Sequence, residues 1–184
     1  MQRVVLITGM QAAGKTTIGP LLAARLGPPA AALDGDVFYR MVAAGRVDMT
    51  PAPESEALRQ LALRYEASAI VAQHYVDAGF DFVCTDIVLG EYVTAWMESV
   101  KAERHLVVLN PSVEAIVARE VGRGATSYRD WQEPGMTLAD AVASLQRGLE
   151  DTPRRGLWLD SSSLTAEQTV ERILGNDLRD SLWL

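Results

Sequence analysis

The chain has 184 residues, nearly half of them hydrophobic, and a net charge of −7. Its length and composition predict a single globular domain over residues 1–184, and the acidic balance without a basic stripe argues against a nucleic-acid partner. The lone cysteine, Cys84, excludes an internal disulfide and a cysteine-based zinc site. Since neither a membrane-length apolar run nor a signal peptide is evident, we expect a cytoplasmic protein without membrane contact. The oligomeric state is left open.

A complete phosphate-binding motif stands near the start of the chain. An apolar, β-branched run at 4–8 precedes the pattern GxxxxGK[ST] at 9–16, and a helical pattern follows at 17–26. Strand, glycine loop and helix are the context that this motif requires. Backbone N–H groups and the helix N-terminus would hold a triphosphate, with Lys15 on the β- and γ-phosphates and the Thr16 hydroxyl on Mg²⁺. The predicted nucleotide-binding residues are Gly9, Gln11, Ala12, Ala13, Gly14, Lys15, Thr16 and Thr17.

Four more apolar runs, each followed by a helical pattern or a polar turn, complete a set of five predicted strands. They lie at 30–33, 80–85, 105–109 and 157–159. Helices are predicted over 54–78 and 91–102, after Pro111 with Asn110 as N-cap, over 138–149, and after the capping box of Thr165 and Gln168. This alternation predicts an α/β fold, in which a parallel sheet is covered by helices on both faces. The polar, aperiodic segment 122–135 predicts a mobile loop.

Two carboxylates, Asp34 and Asp36, follow the second predicted strand. Ligands bind beyond the carboxyl ends of parallel strands, so both should share an edge with the phosphate loop. Transfer of a phosphoryl group to an alcohol needs a carboxylate that orients the hydroxyl and accepts its proton. Asp36 is our first choice for that base and Asp34 is the second. The alternative is that either residue caps the next helix, a role that aspartate performs well.

The third predicted strand ends at Asp86. An apolar strand ending in aspartate is the Walker B arrangement, in which the carboxylate holds Mg²⁺ directly or through water. A plain strand-end cap is the alternative. Ile87 follows where motor-type ATPases usually place a water-activating acid, and this disfavours hydrolysis as the purpose.

Three arginines, Arg119, Arg123 and Arg129, lie in and around the polar loop. Their paired donors could stabilise the charge on a transferring phosphoryl group, and a flexible segment that carries them could close over ATP. Arg119 and Arg123 are therefore catalytic candidates, with a solvated helix end as the alternative. Candidate acceptor contacts, for which core packing is the alternative at the aromatic positions, are Asp34, Tyr39, Arg40, Tyr92, Trp96 and Tyr128.

In their order along the chain, the phosphate loop, Asp36, Asp86 and the arginine pair resemble small P-loop kinases of the nucleoside-monophosphate-kinase type. The nearest similarity is to chloramphenicol phosphotransferase and its relatives, in which the aspartate matched by Asp36 is taken as the base. That family has an acidic pair after the third strand, whereas Thr85 replaces the first acid here. Residues 33–36 separately resemble gluconate kinase and adenylylsulfate kinase. The resemblance implies a three-layer P-loop fold, a five-stranded parallel sheet in the order 2-3-1-4-5, and a short lid over about residues 119–136.

The sequence therefore predicts an enzyme that uses ATP and Mg²⁺ to phosphorylate a hydroxyl of a small molecule, and the resemblance adds an antibiotic as one acceptor. Two alternatives stay open, a sugar- or gluconate-type metabolite kinase and a nucleotide-dependent regulatory module without an acceptor. The Asn-Lys-x-Asp string of GTPases is missing after the fourth strand, where 109–112 reads Leu-Asn-Pro-Ser. No residue of the sequence distinguishes ATP from GTP as the phosphate donor.

Overall fold

The strand of residues 3–9 lies at the centre of the sheet, and all of it but Arg3 is buried. A computed structural model describes residues 1–124 and 127–184. The five-stranded sheet is parallel throughout and has the predicted order β2-β3-β1-β4-β5. Its strands are β1 (Arg3–Gly9), β2 (Ala30–Asp34), β3 (Asp81–Thr85), β4 (Glu103–Leu109) and β5 (Leu157–Leu159).

Helices cover both faces of this sheet. They are α1 (Lys15–Leu26), α2 (Asp36–Met41), α3 (Ser55–Asp77), α4 (Glu91–Ser99), α5 (Val113–Gly122), α6 (Leu138–Gln146) and α7 (Ala166–Leu174). Alternate residues of β1 point to opposite faces, so Val4 and Leu6 join the core under α3 to α6, whereas Val5 and Ile7 join the core under α1 and α7. None of the helices within the described ranges combines the length and the apolarity of a membrane span.

Several helix boundaries differ from the sequence prediction. Helix α6 ends at Gln146, and a 3₁₀ turn, Arg147–Leu149, takes the place of the last predicted turn. The Asn110 N–H still donates to the carbonyl of Leu159 at 2.9 Å, so α5 starts later, with Ser112 as its N-cap. The Ser112 hydroxyl accepts the N–H of Ala115 at 3.2 Å. Helix α4 ends at Ser99 because Val100 is extended toward β4. The predicted capping box at Thr165 is confirmed.

The polar segment after α5 contains a short 3₁₀ turn, Arg129–Trp131, which the sequence pattern did not predict. Residues 125 and 126 of the predicted lid lie outside the described residues. The lid limits of about 119–136 and its mobility therefore stay predictions. What the fold does provide is one sheet edge at which β1, β2 and β3 all end in polar residues or turns.

Helix α1 packs closely on β3 at Gly19. A Cβ atom at this position would lie 2.5 Å from Cγ2 of the buried Thr85. We predict that Gly19→Ala destabilises the protein by about 1–3 kcal/mol through overpacking, although alanine is favoured over glycine in a helix by about 1 kcal/mol. Gly122→Ala, at the exposed end of α5 with open space around it, should be neutral or stabilising. Urea denaturation midpoints measure both, and a similar gain in the two variants would contradict the close packing.

Candidate active site

The loop between β1 and α1 is shaped to receive an anion. Helix α1 starts at Lys15, and its N-cap Gly14 has φ 102°, a left-handed conformation that suits glycine. No side chain caps this helix and no acidic residue lies in its first turn. The N–H groups of Thr17 and Ile18 donate to the carbonyl of Gly14 at 3.1 Å, so those of Lys15 and Thr16 are the ones left for a ligand, and the helix dipole favours a negative charge there.

Lys15 is held by the loop that precedes it. Its Nζ donates to the carbonyls of Gly9 at 2.7 Å and Met10 at 2.8 Å. Burial lowers the pKa of Lys15 to about 8, an effect that Asp36 and Asp34 oppose and that Arg64 and Arg123 reinforce. The ammonium group is thus fixed and poorly solvated, a setting in which a phosphate anion would be strongly attracted.

A cavity of about 210 Å³ lies over the loop. Thr16 and Asp86, the two predicted metal contacts, line the same cavity. The described residues hold no cluster of three or more His, Cys, Asp or Glu side chains suited to a metal ion. Mg²⁺ commonly takes only one or two protein ligands and completes its shell with phosphate oxygens and water, so this donor set fits it. The lining residues are Gln11, Ala12, Gly14, Lys15, Thr16, Thr17, Asp34, Asp36, Asp86, Ile87, Arg123 and Ser127.

The two carboxylates after β2 are in different situations. Oδ1 of Asp34 accepts the backbone N–H of Asp36 at 3.1 Å, and so Asp34 satisfies a free donor at the start of α2. The side chain of Asp36 is 56% exposed and lines the cavity. Gly35 is the N-cap of α2 and no side chain caps this helix, so neither aspartate takes the predicted capping role; both line the cavity, and Asp36 is the more exposed of the two.

Arg64 of α3 connects the remaining acidic groups. Its Nε donates to Oδ2 of Asp86 at 2.8 Å, and its Nη2 donates to Oδ1 of both Asp86 and Asp36, the latter at 3.0 Å. The Asp86 carboxylate is fully buried and also accepts the N–H of Ile87 at 2.6 Å. A buried carboxylate is tolerated only when it is paired, so Arg64 is what permits Asp86 at this position.

Sequence reasoning missed Arg64 because it lies inside a long helical pattern. The one available signal was Asp86 itself: an acid that ends a buried strand needs a cationic partner. The sequence could not say which of its many arginines fills that role, since the contact joins residues 22 positions apart.

The three loop arginines separate in the structure. Arg123 lines the phosphate cavity. Arg119 instead donates to the carbonyls of Ala13 at 3.3 Å and Ser161 at 2.5 Å, which ties the phosphate loop to the turn after β5. Burial, and then Arg123, lower the pKa of Arg119, while Asp160 opposes the shift. Arg129 is exposed in its 3₁₀ turn, and the linings of the described cavities include neither it nor Arg119.

A second cavity, of about 950 Å³, adjoins the first. Tyr39, Arg40 and Tyr92, three of the residues proposed from the sequence as acceptor contacts, line it. The residues shared by the two linings are Gln11, Asp36, Ile87 and Ser127. Asp36 therefore stands where the phosphate cavity meets the larger one.

The other three predicted acceptor contacts lie elsewhere, and Asp34 lines only the phosphate cavity. Trp96 is 3% exposed, and its indole Nε1 donates to the hydroxyl of Ser68 at 2.8 Å inside the core. Tyr128 is 1% exposed, and its hydroxyl donates to the carbonyl of Gln11 at 2.9 Å. Helical spacing and apolar neighbours draw Trp96 into the core, and Tyr128 supports the phosphate loop from beneath instead of facing an acceptor.

No family model and no curated protein matches the chain in sequence. Solved structures do match. A sugar kinase from Janibacter sp. HTCC2649 is 20% identical, with a TM-score of 0.68 over 95% of this chain and 93% of the other. A gluconokinase from Sinorhizobium meliloti 1021 is 16% identical, with a TM-score of 0.62 over 96% and 91%. A thymidylate kinase from Candida albicans is 13% identical, with a TM-score of 0.66 over 99% and 97%.

At these identities the similarity concerns the fold. The chain has the α/β fold of P-loop kinases, with the sheet order that the sequence predicted. The nucleotide, the metal and the acceptor are matters for a proposal that rests on the residues of the site.

Lys15 should make nucleotide binding depend on pH. A triphosphate favours the ammonium form, so binding to a protein whose Lys15 has a pKa of about 8 should take up a proton and should weaken as the pH rises above 8. Calorimetry with a non-hydrolysable ATP analogue measures that proton uptake. The titration is run at about pH 8.5 in two buffers of different ionisation enthalpy. In Lys15→Arg the guanidinium stays charged, so this uptake should vanish. Equal proton uptake in the variant would contradict the assignment.

Arg64 should be strongly coupled to Asp86. We predict that Arg64→Met lowers the free energy of unfolding by about 3–5 kcal/mol, because it leaves a buried charge without a partner. The double variant Arg64→Met/Asp86→Asn should lose less than the single one. Arg59→Met, five residues earlier in α3 and in an exposed ion pair with Glu56, is the matched control and should cost much less than Arg64→Met. Additive losses in the double variant, measured by urea denaturation, would refute the pairing.

Proposed function

We propose that the chain is an ATP-dependent phosphotransferase that moves the γ-phosphoryl group to a hydroxyl of a small molecule. The observation that supports this best is the position of Asp36, whose side chain lines both the phosphate cavity and the adjoining 950 Å³ cavity. A donor in the first cavity and an acceptor in the second would meet at this carboxylate. Nucleotide hydrolysis alone would not require the larger cavity.

In the proposed step, the acceptor oxygen forms a bond to the γ-phosphorus while the bond to the β–γ bridging oxygen breaks, and ADP leaves. The hydroxyl proton passes to Asp36. Arg64 contacts Oδ1 of that carboxylate, and Oδ2 accepts no hydrogen bond from any described residue, so Oδ2 is the atom we assign as base. Most of the catalysis is positioning and charge neutralisation, as is usual for phosphoryl transfer.

The cationic groups of the site would act on the phosphates. We assign Lys15 and the N–H groups of the loop to the β- and γ-phosphates, and Arg123 to the charge that develops on the transferring group. Arg119 is proposed to act by holding the carbonyl of Ala13, and with it the shape of the loop. The side chain of Arg123 is 56% exposed, its Nη2 pairs with Oε2 of the buried Glu120 at 3.5 Å, and its Nε donates to the carbonyl of Arg119 at 3.3 Å.

Thr16 and Asp86 are the residues that we assign to Mg²⁺. Both oxygens of Asp86 already accept hydrogen bonds, from Arg64 and Ile87, so contact through a metal-bound water fits this carboxylate better than direct ligation. When bound, the ion would neutralise charge on the β- and γ-phosphate oxygens. The chain itself contributes the Thr16 hydroxyl and a fixed, buried negative charge.

Two other functions compete with this one. A sugar- or gluconate-type metabolite kinase would use the same donor site, and the fold is shared with a sugar kinase and a gluconokinase. A nucleotide-dependent regulatory module would bind ATP without consuming it. We favour a small-molecule kinase, and the resemblance adds an antibiotic as one acceptor. We place the protein in the cytoplasm, where ATP is supplied. We propose neither a nucleic-acid partner nor a membrane partner.

Asp36→Asn should lower turnover by about 10²–10⁴-fold, because the amide cannot accept the hydroxyl proton. The affinity for ATP should change little, since the phosphates are held by the loop and Lys15. Asp34→Asn is the matched control, because the side-chain oxygen of asparagine can still accept the N–H of Asp36, and turnover should stay within a few-fold. Phosphorylated product and ATP affinity are measured together.

An unbiased acceptor screen by mass spectrometry supplies the substrate for that comparison. Normal turnover in Asp36→Asn would remove this carboxylate from the role of base, and a loss confined to Asp34→Asn would transfer the role to Asp34. If ATP binds but is not consumed in the presence of any acceptor in the screen, the regulatory alternative prevails.

A further inference from the structure

The larger cavity carries information about the acceptor. This step rests on the proposed function, since it takes the cavity beside Asp36 as the acceptor site. We propose that the acceptor is a bulky alcohol with an apolar, aromatic-sized body and no negative charge, and that a positively charged amine is preferred over a neutral group. A sugar, a sugar acid or a nucleotide would not fit this description.

The size and the apolar lining of the cavity support a large acceptor. A volume of about 950 Å³ is near the upper end for small-molecule sites. Apolar side chains from α3, from the segment after β3 and from α6 line it, namely Leu58, Leu61, Ile87, Leu89 and Leu145. A small polyol would leave much of this surface in contact with water, whereas a hydrophobic body would bury it.

Aromatic side chains form part of the cavity wall. The rings of Tyr65 and Tyr92 lie 5.4 Å apart at an angle of 58°, and both residues line the cavity together with Tyr39 and Trp131. Large rings held in place by their neighbours offer contact area at little conformational cost. This arrangement suits an acceptor with an aromatic or similarly flat group.

The polar atoms of several lining residues are already committed within the protein. The hydroxyl of Tyr65 donates to the carbonyl of Ile87, and that of Tyr39 donates to Asp48. The side chain of Gln60 accepts the N–H of Val47 and donates to Gly45 and Glu56. A sugar needs many free donors and acceptors around it, and these side chains would have to break existing bonds to provide them.

The charges in the lining disfavour an anion. Its carboxylates are Asp36, Asp48, Glu91 and Asp151, against the arginines Arg40 and Arg64, and Asp48 is paired with Arg46 at 3.1 Å. Arg64 is bound to Asp36 and Asp86, so it is not available to an anionic acceptor.

The positions of Glu91 and Asp151 indicate where a cation would lie. A Cβ atom on Gly90 would be 4.0 Å from Cβ of Asp151, which places Asp151 beside the N-cap of α4, the helix whose first residue is Glu91. Both side chains belong to exposed residues, and within the described part of the chain neither forms an ion pair. We assign the amine of the acceptor to this end of the cavity and its hydroxyl to the Asp36 end.

A matched series of alcohols tests the proposal on the whole protein with a non-hydrolysable ATP analogue. Phenylalaninol carries an ammonium group, 3-phenylpropan-1-ol is neutral, and 3-phenyllactate carries a carboxylate; glucose and gluconate represent polyols. Calorimetry should show that phenylalaninol binds about tenfold or more tightly than 3-phenyllactate, with the neutral alcohol between them and both polyols weaker still. Glu91→Gln/Asp151→Asn should reduce the preference for the ammonium group about fivefold and leave ATP affinity unchanged.

Phosphorylated product, measured separately with ATP, distinguishes this inference from the proposed function. Binding of phenylalaninol without its phosphorylation would leave the acceptor class in place and count against phosphoryl transfer. Phosphorylation of gluconate or 3-phenyllactate in preference to phenylalaninol would overturn the acceptor class and leave the transfer function standing. Binding of none of the probes, or equal binding of the ammonium and carboxylate alcohols, would also overturn it.

Discussion

The guanidinium of Arg64 is the group on which the geometry of the site depends. It lies between two carboxylates that come from different strands, Asp86 after β3 and Asp36 after β2. Without it, Asp86 would be an unpaired charge in the protein interior, and such a charge costs several kcal/mol. The same contact holds Asp36 at the junction of the two cavities. A single side chain of α3 thus couples the packing of the sheet edge to the placement of the proposed base.

The two cavities at this edge differ in their chemistry. The smaller one is defined by backbone N–H groups, by the buried ammonium of Lys15 and by carboxylates, as a phosphate and a hydrated cation would require. The larger one is walled by leucine and aromatic side chains whose polar atoms are largely bound to other protein groups. Charge selection therefore reverses over a short distance, from a site for an anion to a site that disfavours one.

Supporting contacts explain why the loop can hold its shape. Arg119 and Tyr128 approach it from different elements, Arg119 at the carbonyl of Ala13 and Tyr128 at the carbonyl of Gln11. Within the loop, the N–H of Ala13 also donates to the carbonyl of Met10 at 3.2 Å, so the two side-chain contacts add to an internal hydrogen bond. Residues that seemed suited to direct contact with a substrate thus contribute through the backbone of the phosphate loop.

The sequence by itself determined the strands, the sheet order through its resemblance to a known fold, and the phosphate loop. These follow from local patterns: strand periodicity, capping boxes, and a glycine motif whose backbone conformation depends on neighbouring residues. Only the tertiary structure decided that Arg64 pairs with Asp86, that Asp36 and not Asp34 faces both cavities, and that Trp96 and Tyr128 turn away from the larger one. These contacts depend on which side chains meet across the sheet edge. Residues far apart in the chain have no local sequence pattern that predicts their contact.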